Sequence, residues 1–191
     1  MTGATVMIRS AALLALAMGA GVMGAHELQD NRATLVLRDG THLSVTLFIG
    51  YADALHQALA PEKPLQEFLL VYAALKEDQL QKELLRAQAR FQAATHVYLA
   101  AGVESTLTNW VWPDAKQVRA LLQQRAMAAL VDPNGHAHDA PVEIHADSNA
   151  RQEVKSVQVR FPDEFQKVLV VAFRPAQLWV ESKALSPVIK F

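Results

Sequence analysis

The side chains in this sequence best suited to chemistry are its seven histidines: His26, His42, His56, His96, His136, His138 and His145. Three of them fall in the stretch Asp132-Pro-Asn-Gly-His-Ala-His-Asp-Ala-Pro-Val-Glu-Ile-His-Ala-Asp147. His136 and His138 are two apart, so in extended chain they point the same way. If Val142 and Ile144 face a core, then Glu143, His145 and Asp147 share the opposite face. Neutral imidazoles beside carboxylates are ligands for zinc, copper, nickel or cobalt. His136, His138 and His145 are therefore the candidate ligands of a divalent transition metal. The competing reading is a polar hairpin tip followed by an exposed strand face. Convergence of the tip pair on the strand histidine decides between them, and spacing alone does not supply it. His42, on the solvent face of a predicted strand, and His56, on a short predicted helix, read singly as satisfied surface or boundary residues.

The elements that must position these residues begin after residue 25. Residues 1–25 carry one charge, Arg9, and residues 10–25 carry none. A basic residue, an apolar run and small residues form the pattern of a secretory signal peptide. The charge-free run of 16 residues is short of the roughly 20 needed to span a bilayer. The expected organisation is a signal peptide over 1–25 and a single secreted domain over 26–191. Cleavage after Ala25 leaves His26 as the amino terminus, whose amine and imidazole together chelate copper; cleavage after Gly24 does not. The predicted compartment is a bacterial periplasm.

Composition narrows the classes further. Hydrophobic residues are 51% of the chain, which excludes a disordered one. Eighteen basic against nineteen acidic residues give no field to hold a nucleic-acid backbone. The absence of cysteine removes disulfides, thiolate metal sites and thiol nucleophiles. An exported chain without cysteine folds by burial alone.

Residues 32–39 and 41–49 alternate as two strands around Asp39-Gly40, a strong two-residue hairpin signal. Three helices follow, over residues 51–60, from Pro64 with Leu65, Phe68, Leu69 and Tyr72 on one stripe, and over 76–94 with Leu80, Leu84, Leu85 and Phe91 inward. A second hairpin is expected over 96–101 and 105–112. A helix then starts at Pro113 and Asp114, the latter a candidate N-cap, and carries Val118, Leu121 and Leu122. Residues 126–131, 142–147, 153–161, 168–174 and 177–181 read as strands. Trp110 and Trp112 fall on one strand face; they suit a stacked ligand ring but more simply cap the core where a helix meets a sheet. The expected fold class is α+β: a β-sandwich-like core with a helical insert between the N-terminal hairpin and the C-terminal strands. Strands from both ends must then pair around the insert.

There is no nucleophile elbow, phosphate-cradling loop, dinucleotide fingerprint or zincin helix, and the reading is non-enzymatic. The start Ala25-His-Glu-Leu with its Leu-rich strand, and the ending Val168-Leu-Val-Val-Ala-Phe-Arg-Pro-Ala-Gln-Leu-Trp-Val, resemble the extracytoplasmic domain that precedes the membrane helices of HupE/UreJ-class proteins. The resemblance implies an exported, β-rich accessory domain connected with nickel or cobalt handling. The chain departs from that class in stopping at Phe191 without membrane helices, so transport does not carry over. The expected function is an exported accessory or binding protein that holds a transition metal; the alternative is a metal-free interaction module docking on an inner-membrane protein. A hydrolase with an unseen motif would need a deep pocket of convergent polar groups. An interaction module would show an exposed apolar patch and diverging histidines.

Overall fold

The computed structural model describes residues 31–99, 102–131 and 141–175, with Val180 and Ser182. Strict alternation makes the first two strands. Strands β1 (Asn31–Arg38) and β2 (His42–Ile49) pair in antiparallel register, Leu35 opposite Val45. Leu43, Val45, Leu47 and Ile49 are buried, while His42, Ser44, Thr46 and Phe48 take the other face. The turn between them has positive φ at both Asp39 (50°) and Gly40 (72°), as a type I′ turn requires. The Thr41 N–H closes it on the Arg38 carbonyl at 3.2 Å.

The period then changes from two to helical. Helices α1 (Tyr51–Leu59), α2 (Leu65–Ala73) and α3 (Glu77–Ala94) form the insert. Their buried stripes are Tyr51, Leu55, Phe68, Leu69, Leu80, Leu84 and Phe91. Leu85, expected inward, is 55% exposed; it lies one position past Leu84, about 100° around the helix from it. Strands β3 (His96–Leu99) and β4 (Glu104–Ser105) make a short hairpin. Strand β5 (Thr108–Val111) leaves for the other sheet, so the single strand expected over 105–112 is two.

Helix α4 (Ala115–Val131) starts on a reciprocal cap. Asp114 Oδ1 accepts from the Gln117 N–H at 2.7 Å, and Gln117 Oε1 accepts from the Asp114 N–H at 2.9 Å. This capping box confirms Asp114 as the N-cap. The helix continues through residues 126–131, which were expected as a strand. That segment holds Ala, Met and Leu, all good helix formers, and reads as a strand only because it lacks polar residues.

Strands β6 (Val142–Asn149), β7 (Val157–Arg160) and β8 (Val168–Phe173) complete the chain. Of residues 153–161, only β7 is strand. The expected strand over 177–181 lies outside the described residues. One sheet has the order β5-β6-β2-β1-β8, and the second has β4-β3-β7. β1 is parallel to β8, and β2 is antiparallel to β6, so strands from the two ends do pair around the insert. The fold is α+β with a sheet-based core. The inward face of the large sheet meets an aromatic cluster of Tyr51, Phe91, Trp112 and Phe165. Trp110 stacks on Trp112 at 5.3 Å, and both pack against the core. Among the described residues, no helix is long and apolar enough to cross a membrane.

Candidate functional site

The β2–β6 pairing brings the polar side chains of the outer face together. Register sets His145 opposite Thr46, Asp147 opposite Ser44 and Asn149 opposite His42. Every ring nitrogen in this row has an oxygen partner. His145 Nε2 lies 2.9 Å from Glu143 Oε1, and its Nδ1 lies 3.2 Å from Thr46 Oγ1. His42 Nδ1 lies 2.8 Å from Asn149 Oδ1, and its Nε2 lies 3.4 Å from Asp147 Oδ1. Glu143, His145 and Asp147 do share the face opposite Ile144, which is buried.

The two histidines of this face do not converge. His42 is opposite Asn149, four residues along β6 from His145, a separation of about 13 Å at the rise of a strand. Ligands of one zinc ion each lie about 2 Å from it, so these two cannot share an ion. His56 is buried on α1, its Nε2 held at 2.7 Å by the Lys63 carbonyl and its ring against Phe68. It is satisfied, as expected, but in the core. His96 lies in the smaller sheet, paired with Glu104 at 2.5 Å. His26, His136 and His138 lie outside the described residues. Among the described residues, no group of three or more histidines and carboxylates is placed to hold a metal ion. Glu143 and His145 remain a two-ligand pair. Their donors are close enough to bind one ion together, and in sequence they follow His138 by five and seven residues.

Two concavities of mixed lining border this face. One of about 370 Å³ is lined by Trp112, Gln117, Val142, Glu143 and His145 among others. It puts the pair beside an indole and the first turn of α4. The larger, of about 740 Å³, includes Glu104, Ser105, Asn149, Arg151 and Glu153 in its lining. Ser105 Oγ is hydrogen-bonded to Ser148 Oγ, and no imidazole is among the described lining residues. On the outer face, Ser44 Oγ and His42 both address the Asp147 carboxylate. In a serine nucleophile the imidazole stands between hydroxyl and carboxylate; here the carboxylate stands between the other two.

The feature that pattern reading missed is apolar. β8 was legible as a strand, but an uninterrupted apolar run reads as one covered on both faces. Instead, among the described residues, it is the edge of the sheet, with Leu169, Val170, Val171 and Phe173 each 41–50% exposed. A groove of about 540 Å³ runs beneath it, with Leu35, Leu37, Val157, Val159 and Val170 in its lining. Its charged lining residues are Lys155 and Arg174. Compared with known proteins, the chain matches no family model, no curated protein and no solved structure.

Proposed function

We propose that this chain is an exported accessory protein of the periplasm that acts by binding, and that it docks on an inner-membrane protein through the apolar surface at β8. The observation that carries this reading is the exposed apolar strand, which no described strand covers on its far side, with its apolar groove. Long hydrophobic edge strands are normally shielded by lysine, proline or a bulge within them. β8 has none of these in its six residues. Contiguous exposed apolar surface is a mark of an interaction site. The export pattern of residues 1–25 supports the compartment. A photo-crosslinking residue in place of Val171, in cells that produce the protein, tests the reading. It should trap one membrane protein, and the same probe in place of Gln81 on α3 should trap none. Identical yields from both positions, or no product from Val171, would overturn it.

A transition-metal site is the second reading, favoured by the Glu143–His145 pair near the end of the segment that contributes His136 and His138. Calorimetric titration of the full chain with zinc, nickel, cobalt and copper ions tests it. Equal binding by wild type and the His136→Ala/His138→Ala variant would remove those two ligands. Absence of binding would remove the metal. His26 enters only as a free amino terminus.

A further inference from the structure

We infer that β8 takes up an extended segment of the docking partner as an added strand, and that this segment is apolar over about six residues and acidic at both ends. The inference rests on the docking reading above. Among the described residues β8 is paired only with β1, and β7 is the edge of the smaller sheet. An edge strand presents unpaired N–H and C=O groups. The groove lies between the inward side of β8 and β7. An extended peptide meets both requirements. Its backbone continues the ladder beyond β8, and alternate side chains fall into the groove or beside Leu169 and Val171 on the outer side. A lipid tail could fill the groove but would leave the backbone groups of the edge unmet.

Charge selects among peptide occupants. Lys167 directly precedes β8, Arg174 directly follows it, and no charged residue lies between them. Lys155 adds a third cation at the groove. Arg174 touches Glu153 at 3.0 Å, but both side chains are more than half exposed, and such a pair yields readily to a competing carboxylate. A second copy of this chain is disfavoured. Two-fold antiparallel pairing of β8 with itself sets Lys167 of each copy opposite Arg174 of the other, and like charges directly opposite are destabilising. Residues 176–191 of the same chain carry Glu181 against Lys183 and Lys190, a cationic balance that complements Lys167 and Arg174 less well than a segment with an acid at each end. An acidic-flanked strand of another protein satisfies edge, groove and both cations.

The test uses the full chain and a fluorescent peptide, Asp-Glu-Val-Leu-Val-Ile-Ala-Val-Glu-Asp, read by anisotropy. The same core with lysine flanks should bind at least tenfold more weakly. The acidic peptide with proline in place of isoleucine should lose binding. The Lys167→Glu/Arg174→Glu variant, at two exposed positions and checked for folding by circular dichroism, should reverse the preference for acidic over basic flanks. Equal affinity for both flanks, retention of the acidic preference by the variant, or no binding by the folded wild type would overturn the inference. So would binding that appears only once residues 176–191 are removed, or a dimer in sedimentation that the peptide does not dissociate. Failure of the peptides with a successful Val171 crosslink would remove strand addition and leave docking in place.

Discussion

Tyr51 shows how one side chain can tie the stability of this protein to pH. It opens α1, sits under the aromatic cluster and is fully buried. Its hydroxyl has no partner at hydrogen-bonding geometry. Burial pushes the phenol well above the usual tyrosine range, and a polar contribution from Gln88 offsets this only in part. The sign of the effect follows. Below about pH 10 the phenol is neutral in both folded and unfolded chains. Above it the unfolded chain ionises while the folded one still holds its proton, so stability falls as pH rises toward the folded value. Tyr51→Phe lacks this loss. At pH 11 wild type should have lost about 1 kcal/mol more than the variant, relative to pH 8. Tyr72, also raised, chiefly by burial, is present in both and cancels. Near neutral pH the variant should stay within about 1 kcal/mol of wild type, because the hydroxyl it removes makes no bond of good geometry and meets only the Gln88 side chain. Urea unfolding at the two pH values checks this; parallel losses would refute it.

At the scale of elements, α4 depends on the cap that its sequence advertises. Asp114→Ala removes one half of the reciprocal bond and should cost about 1 kcal/mol, while Asp114→Asn should keep most of it. Denaturant midpoints of the two variants decide. The cap was legible because its chemistry is local: an acceptor at one position and an amide three residues on. The first hairpin was legible for the same reason, through Asp39-Gly40 and strict alternation. What was not legible depends on partners distant in sequence. Nothing in Thr108–Val111 says that it pairs with β6 and not with β3. The apolar run of β8 was readable as a strand, but its place at the edge follows from its having β1 as its one neighbour among the described strands, a matter of long-range pairing. Residues 126–131 misread because Met127, Leu130 and Val131 are exposed on the helix, so no polar stripe marks its period. Of the candidate site, the shared face of Glu143, His145 and Asp147 follows from the period of two. The distance from His145 to His42 follows from register across 103 residues, which no local pattern encodes.

Among the described residues the first strand is tied to the segment that leads into the last one, and one side chain shows how. Asn31 begins β1. Its Nδ2 donates to the Phe165 carbonyl at 2.6 Å, and its Oδ1 accepts from the Gly50 N–H at 2.8 Å. It thus joins the start of the first strand, the junction between β2 and α1, and the short 3-10 turn (Asp163–Phe165) that leads into β8. Phe165 belongs to the same core as Phe91 of α3. An ion pair between Arg90 of α3 and Glu164, at 2.5 Å, links the same turn to the helical layer. Sheet and helices share these residues, so neither layer can open without exposing the other. Urea unfolding should therefore be a single transition, with indole fluorescence and far-ultraviolet circular dichroism coinciding. Asn31→Ala strands two backbone groups and should lower stability by about 2 kcal/mol. The decisive point is how it does so. If Asn31 ties the molecule as a whole, both signals shift together and stay superimposed. If the helical insert were an independent layer, only the signal dominated by the sheet would move, and the two curves would separate.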